Sequence, residues 1–282
     1  MIIRGADVVD ISDTFPTMSE LLNTESIESK MDDLNGTKIG VIDSLLENSA
    51  WHSQDKKHPY LLAPVDLQAV KACGVTFAQS MLERVIEERA KGDPSAAQGI
   101  RNDIQKVIGL DLESIIPGSS EAEQLKEVLI KKDMWSQYLE VGIGPDAEVF
   151  TKAQPMSVMG IGAQIGILEK SEWNNPEPEI TLAVNARGKI LGATLGNDVN
   201  LRDIEGRSAL LLGKAKDNNA SASIGPFIRL FDENFSLDDV RMAELSLTVR
   251  GLDQFTLHGR SSMSKISRDV ADLVDETIGR HH

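Results

Sequence analysis

Two short apolar runs joined by a turn constrain the fold of this chain more than any other feature. The first run is residues 180–184 (ITLAV), and the second, residues 190–195, follows a short segment that begins with Asn185 and includes Gly188. Asparagine and glycine are turn residues, so the two runs are predicted to pair as a β-hairpin. Pairing about this turn brings the end of the second run close to the start of the first.

Acidic side chains lie at the ends of this predicted hairpin. Glu177 and Glu179 are two residues apart at the start of the first strand. Because side chains alternate along a strand, both carboxylates should point to one face. Asp198 follows the second strand and should return to the neighbourhood of Glu177. Three carboxylates at adjacent strand ends suit a hard cation such as Mg²⁺, whereas the thiolates and imidazoles that favour zinc are absent from this stretch.

A simpler interpretation of Glu177 and Glu179 is the solvated face of an amphipathic strand. For two glutamates alone, that interpretation is the better one. The neighbouring residues change the balance, because polar groups concentrated where strands end indicate function. The polar residues close to these turn-rich segments are Asp198, Arg202, Asp203, Lys214, Lys216 and Asp217. Residues 172–226 are therefore predicted to form the active site.

Three short motifs in this region carry a family resemblance. They are residues 177–179 (EPE), residues 196–203 (GNDVNLRD), and Lys216 followed by residues 224–226 (IGP). In this order and spacing they resemble the fumarylacetoacetate hydrolase family of metal-dependent enzymes that act on 2-oxo acids. Longer stretches resemble the branch that dehydrates 2-keto-3-deoxy-D-xylonate or D-arabinonate. Those stretches are residues 61–90, 135–152 and 201–227.

The resemblance implies roles for individual residues. It implies Glu177, Glu179 and Asp198 as ligands of Mg²⁺ or Mn²⁺, and Lys216 as a catalytic residue. The residues that it implies in substrate binding are Ser80, Arg89, Asn200 and Arg202. Many members carry glutamine where this chain has Glu205, so the substrate contact at that position stays open.

A second motif distinguishes elimination from hydrolysis. Hydrolytic members of the family place a His-x-x-Glu dyad after a segment whose counterpart here is residues 74–77 (GVTF). In that register the histidine becomes Ser80 and the glutamate is kept as Glu83. Because serine has no basic nitrogen to activate water, the substitution favours dehydration over C–C hydrolysis. From the helical pattern alone, Glu83 is a solvated residue, so its catalytic role depends on the resemblance.

The predicted architecture belongs to the α+β class. It consists of a mixed β-roll catalytic domain of the fumarylacetoacetate hydrolase type, with a helical lid insertion and a small α+β N-terminal unit. The predicted domains are residues 1–60 and residues 61–282, with the lid at about residues 80–134 and the C-terminal part of the catalytic domain missing. Within the lid, residues 120–132 are predicted to form an amphipathic helix that buries Leu125, Val128 and Leu129. Residues 139–143 are predicted to form a strand.

Composition limits the classes of partner. Twenty-nine basic against 44 acidic residues give a formal net charge of −15, which repels nucleic acid and anionic lipid. Neither is therefore predicted as a partner, and no run approaches the length of a membrane span. The single cysteine, Cys73, permits no intramolecular disulfide and favours the cytoplasm. The family resemblance implies a homodimer or a higher homo-oligomer.

The predicted function is a metal-dependent lyase that converts a 2-keto-3-deoxy pentonate to 2,5-dioxopentanoate. Lys216 is the predicted base at C3, with its pKa depressed by the metal charge, and Glu83 is the predicted acid for the departing hydroxyl. One alternative is an acylpyruvate or diketo-acid hydrolase, or a 2-oxo-acid decarboxylase, at the same site. Another is an inactive fragment or metal-binding module, because family members continue beyond the position of His282. The choice of sugar acid and of Mg²⁺ or Mn²⁺ stays open.

Overall fold

The computed structural model describes residues 1–77 and 115–279, together with Met81, Val85, Ile86, Gly99 and Asn102. The packing of its Cα atoms divides the chain into two compact units, each built from two separate segments. Unit 1 comprises Met1–Lys71 and Thr151–Val240. Unit 2 comprises the described residues of Ala72–Phe150 and Arg241–His282.

Both units contain strands and helices, and this mixed content agrees with the predicted α+β class. The strands are β1 (Ile2–Arg4), β2 (Asp7–Asp10), β3 (Thr37–Val41), β4 (Val70–Gly74), β5 (Glu148–Ala153), β6 (Asn174–Asn175), β7 (Pro178–Val184), β8 (Ile190–Asp198), β9 (Asn200–Leu201), β10 (Ala222–Leu230), β11 (Glu244–Arg250) and β12 (Thr256–Ser262). The α-helices among the described residues are α1 (Met18–Asn23), α2 (Ile27–Lys30), α3 (Ile42–Asn48), α4 (Ser120–Lys131), α5 (Gln137–Ile143), α6 (Arg202–Glu205), α7 (Leu212–Lys216), α8 (Leu237–Arg241) and α9 (Val270–Val274).

The predicted hairpin is confirmed. Strands β7 and β8 pair antiparallel, with Glu179 opposite Gly196, and β10 pairs with the other edge of β8. The Asp198 N–H donates to the Glu177 carbonyl at 2.9 Å, so the two acidic strand ends lie side by side. This three-stranded sheet of unit 1 positions the candidate site.

The turn between β7 and β8 is held by one asparagine. The buried side chain of Asn185 accepts hydrogen bonds from the backbone N–H groups of Arg187 and Lys189, each at 3.0 Å. Gly188 has a φ of +78°, a left-handed conformation that favours glycine. Local side-chain bonding and one glycine thus set the register that brings Asp198 back to Glu177.

The N-terminal residues pack within unit 1. Strands β1, β2 and β3 form an antiparallel sheet, and Thr17 caps α1 by accepting from the Glu20 N–H at 3.0 Å. The cluster of buried apolar residues beneath this sheet comprises Ile2, Val9, Ile11, Leu21 and Ile27. The division into a domain of residues 1–60 and a domain of residues 61–282 stays a prediction.

Two predictions in unit 2 are wrong in detail. Residues 139–143 are helical and belong to α5, because Leu139 and Ile143 are buried at the i, i+4 spacing of one helix face. In α4, Leu125 and Leu129 are buried, but Val128 is 41% exposed. Ala122, one turn before Leu125, completes the buried stripe in its place.

Within the described segments, no helix has both the length and the apolar character required to cross a membrane.

Candidate active site

A lysine and two carboxylates meet at the ends of β7 and β8. Lys216 ends α7, Asp198 ends β8, and Glu177 directly precedes β7. Lys216 Nζ lies 2.5 Å from Glu177 Oε2 and 3.0 Å from Asp198 Oδ2. Lys216 and Asp198 are only 4% and 5% exposed, so this ion pair is largely shielded from water. Three residues that the sequence predicted to act together therefore lie in direct contact.

A second lysine, which was not among the predicted site residues, lies next to Asp198. Lys152 of β5 is 2% exposed, and its Nζ lies 3.1 Å from Asp198 Oδ1. Its three ammonium protons have three acceptors, namely Val199 O at 2.9 Å, Ser221 Oγ at 3.1 Å and Lys216 O. The signal in the sequence was the stretch of residues 135–152, which ends at Lys152 and resembles the dehydratases.

Glu179 lies beside the two other carboxylates on the face that the alternation of β7 predicts. Burial, reinforced by the negative charges of Asp198 and Glu177, raises the pKa of Glu179 to about 8. Opposite it, a Cβ built on Gly196 would lie 2.3 Å from Thr181 Oγ1 and 3.7 Å from the Glu179 Cβ. A side chain at position 196 would therefore clash with the Thr181 hydroxyl, whereas its contact with Glu179 would be an ordinary van der Waals contact.

Burial and charge act in opposite directions on the ions around Asp198. Burial lowers the pKa of Lys152 and raises that of Asp198. For Lys216, burial acts to lower the pKa, but the carboxylates of Glu177 and Asp198 outweigh it and the pKa is raised. The predicted depression of the Lys216 pKa requires a bound cation and stays a prediction.

Asn200 holds the carboxylate of Glu177 by a hydrogen bond. It is fully buried, and its Nδ2 donates to Glu177 Oε1 at 3.1 Å and to Glu205 Oε2 at 2.5 Å. Glu205, where the predicted substrate contact stays open, thus shares one amide group with Glu177. Asn200 Oδ1 has no hydrogen-bond partner among the described residues. A role for Asn200 in binding substrate stays a prediction.

Arg202 lies at the start of α6, over an aromatic ring. Its guanidinium carbon is 5.5 Å from the centre of the Trp173 ring, a cation–π contact. The next residue, Asp203, accepts from Ser171 Oγ at 2.8 Å and from the Glu172 N–H at 3.1 Å. The RD pair therefore holds the segment before β6 against α6, and the predicted contact of Arg202 with substrate stays a prediction.

Three of the predicted site residues lie outside the described residues. They are Ser80, Glu83 and Arg89. Most of residues 80–114 of the predicted lid lie outside them too. The roles of these residues stay predictions.

The donor set fits a hard divalent cation. In the part of the chain that the structure describes, no three Asp, Glu, His or Cys side chains already surround a point that could hold a metal, and the Lys216 ammonium bridges Glu177 and Asp198. The three carboxylates nevertheless supply only oxygen atoms, which Mg²⁺ prefers. Their mutual repulsion contributes to the raised pKa of Glu179, and a bound cation would relieve it.

Comparisons with known proteins identify relatives. No protein-family model matches the chain. A probable 2-keto-3-deoxyxylonate dehydratase of Haloferax volcanii is 33% identical over 153 residues, which is 54% of this chain and 51% of the relative. A 2-dehydro-3-deoxy-D-arabinonate dehydratase of Saccharolobus solfataricus is 39% identical over 134 residues, 46% of this chain and 43% of the relative. The chain is a homologue of these dehydratases.

The fold agrees with this relationship. A solved structure of 2-keto-3-deoxy-D-arabinonate dehydratase, complexed with magnesium and 2,5-dioxopentanoate, superposes with a TM-score of 0.66 at 18% identity. The superposition covers 99% of this chain and 77% of that structure, whereas the sequence matches span about half the length of the curated relatives. The predicted resemblance to these dehydratases is confirmed.

Proposed function

We propose that this protein is a Mg²⁺-dependent dehydratase that converts a 2-keto-3-deoxy pentonate to 2,5-dioxopentanoate. The observation that carries the proposal is the buried contact of Lys216 with Glu177 and Asp198, beside Glu179. A cation site and a proton acceptor at one place are what removal of a proton next to a 2-oxo group requires. The two homologous dehydratases and the shared fold support the same chemistry.

The carboxylates that would hold the cation are Glu177, Glu179 and Asp198. A bound Mg²⁺ supplies positive charge that stabilises the negative charge developing on the 2-oxo group as the adjacent C–H bond breaks. Mn²⁺, which accepts the same oxygen ligands, is a second candidate. Asn200 orients Glu177 through the 3.1 Å hydrogen bond from its amide.

We assign the proton transfers of the reaction to two side chains, Lys216 and Glu83. Lys216 Nζ takes a proton from C3, and the electrons of the C3–H bond form the C3–C4 double bond as the C4–O bond breaks. The departing hydroxyl receives a proton and leaves as water, and we assign that proton to Glu83. Movement of a C–H proton from C5 to C3 then gives the C4–C5 enol, and movement of the enol hydroxyl proton to C4 gives the C5 aldehyde of 2,5-dioxopentanoate. Lys216 must be neutral to act, so its proton has to leave before each turnover.

The finer features of the proposal concern architecture and assembly. They are a β-roll catalytic domain, a lid at about residues 80–134, substrate contacts of Ser80, Arg89, Asn200 and Arg202, a homodimer or higher homo-oligomer, and a cytoplasmic location. The superposition over nearly the whole chain supports the β-roll, and the single cysteine, Cys73, supports a reducing compartment. A lid would exclude water from the reacting carbons.

A substrate panel tests the proposed reaction. The purified protein with Mg²⁺ is given D-xylonate-derived and D-arabinonate-derived 2-keto-3-deoxy pentonates, an acylpyruvate and a 2-oxo diacid. We expect formation of 2,5-dioxopentanoate from a pentonate, followed by mass spectrometry. Cleavage of the acylpyruvate or release of CO₂ from the diacid, with both pentonates untouched, would establish the alternative functions instead.

Lys216→Met tests the assigned base. We expect turnover to fall by about 10²- to 10⁴-fold, the usual contribution of general-base catalysis. Binding of Mg²⁺ should persist, because methionine keeps much of the volume of lysine and removes a positive charge from the cluster. Steady-state kinetics and calorimetry measure the two effects, with the exposed Lys57→Met as the control. Full activity in Lys216→Met would remove this residue from the role of base.

A further inference from the structure

The buried ammonium of Lys152 connects three segments of unit 1 at the back of the site. The residue lies on β5, and it donates to Val199 just past β8 and to the carbonyl of Lys216 at the end of α7. Its third proton goes to Ser221 Oγ at 3.1 Å. All three N–H groups are thereby engaged, so what Lys152 offers Asp198 at 3.1 Å is charge rather than a hydrogen bond.

This arrangement makes the two oxygens of Asp198 unequal. Oδ1 faces the ammonium group of Lys152. The exposed fraction is 2% for the lysine side chain and 6% for the aspartate side chain. Oδ2 accepts from Lys216 Nζ at 3.0 Å, and the same Nζ contacts Glu177 Oε2 at 2.5 Å. Only Oδ2 is therefore directed at the point where Glu177 converges, and turning the carboxylate would separate Oδ1 from a buried positive charge.

We propose that Lys152 is a positioning residue that keeps Asp198 a one-oxygen ligand and thereby makes the site prefer Mg²⁺ to Ca²⁺. The inference rests on the proposed function, because it assumes that Glu177, Glu179 and Asp198 hold a divalent cation. Mg²⁺ takes about six oxygens in a near-ideal octahedron, whereas Ca²⁺ takes about six to eight and readily uses both oxygens of one carboxylate. A carboxylate that can bind through only one of its oxygens therefore favours Mg²⁺, the smaller ion.

A purely structural role for Lys152 makes a different prediction. If the lysine only joins β5, β8 and α7, its loss weakens the binding of both ions by the same factor. If it holds Oδ1, its loss lets Asp198 bind with both oxygens, and Ca²⁺ gains relative to Mg²⁺. The ratio of the two affinities therefore separates positioning of the ligand from support of the fold.

Calorimetric titration with MgCl₂ and with CaCl₂ measures that ratio in the unchanged protein and in Lys152→Met. We expect the ratio of Ca²⁺ affinity to Mg²⁺ affinity to rise by about 10- to 100-fold in the variant, the usual effect of changing a residue that supports a metal ligand. The control is Lys38→Met, which removes a lysine from an exposed pair with Asp7 at 2.7 Å. Its ratio should equal that of the unchanged protein.

The Lys152→Met titrations have several possible outcomes, and each supports or overturns the role proposed for Lys152. An unchanged ratio in a folded Lys152→Met overturns the inference and leaves the proposed function intact. Failure of the unchanged protein to bind either ion overturns the metal site, and the inference with it. If Lys152→Met is unfolded without ions, circular dichroism during ion titration replaces calorimetry. A ratio of Mg²⁺ to Ca²⁺ refolding midpoints above the ratio of the two dissociation constants in the unchanged protein then supports the inference. A variant that neither ion refolds shows a structural role and overturns it.

Discussion

At the scale of single residues, the protonation of Glu179 governs the charge of the site. Its pKa of about 8 means that the folded protein holds a proton on this carboxyl at neutral pH. A cation that binds through Glu179 must displace that proton. The apparent affinity for Mg²⁺ should therefore increase with pH up to about 8, because the fraction of molecules in which Glu179 must lose a proton becomes smaller.

The same pKa predicts how the stability of the metal-free protein depends on pH. The ordinary pKa of a glutamate is 4.5, so between 4.5 and about 8 the folded protein keeps a proton that the unfolded chain has lost. The free energy of unfolding therefore falls as pH rises through this window. Glu179→Gln lacks this titration, and at pH 8 we expect it to be more stable than the unchanged protein by roughly 2–4 kcal/mol.

Urea unfolding in EDTA at pH 5 and at pH 8 measures this difference. The matched control is Glu25→Gln, which changes an exposed glutamate and should follow the pH dependence of the unchanged protein. Parallel curves for Glu179→Gln and the unchanged protein would show that Glu179 ionises in the folded state as it does in the unfolded chain.

At the scale of elements, α4 shows which residues hold unit 2 together. Leu129 is fully buried in a cluster with Leu125 of the same helix and with Leu139 and Ile143 of α5. Val128, the preceding residue, is 41% exposed. Adjacent positions on one helix thus differ sharply in the apolar surface that they bury.

Leu129→Ala should lower the free energy of unfolding by about 2–5 kcal/mol, because it leaves a cavity in this cluster. Val128→Ala should change it by less than about 0.5 kcal/mol, as surface substitutions do. Chemical denaturation followed by far-UV circular dichroism compares the two variants. Equal losses would mean that both side chains are buried to the same extent in solution.

Features that depend on neighbouring residues could be predicted from the sequence, whereas features that depend on contacts between remote elements could not. The β7–β8 hairpin and the proximity of Asp198 to Glu177 follow from alternation and from one asparagine–glycine turn, all within about twenty residues. Helix α5 was mistaken for a strand, because Val141 and Ile143 are β-branched and the run is too short to show its period clearly. The contacts of Lys152 could not be predicted from local pattern, since they depend on the meeting of β5, β8 and α7, which are remote in sequence; only the resemblance of residues 135–152 pointed to this lysine.

At the scale of the whole molecule, the net charge of −15 opposes compaction. Exposed ion pairs such as Lys38 with Asp7 and Lys189 with Glu28 offset this repulsion only slightly. The excess of like charge therefore remains a destabilising contribution that dissolved salt can screen.

Raising KCl from about 10 mM to 200 mM should increase the free energy of unfolding by about 1 kcal/mol, because screening shortens the range of repulsion between exposed carboxylates. Urea unfolding with a chelator present measures this change without a contribution from bound divalent ions. A decrease in stability with salt would instead mean that attractive pairs dominate the surface electrostatics.

The discontinuous make-up of unit 1 has a consequence for biosynthesis. Leu22 packs in one cluster with Ala183 and Leu191, so the N-terminal sheet and helices lack part of their apolar cover until those residues have left the ribosome. At about 5–20 residues per second, this interval is on the order of ten seconds. During this interval the nascent segment exposes apolar side chains. Chaperones that bind newly made polypeptides recognise such side chains, so the segment is expected to be one of their substrates.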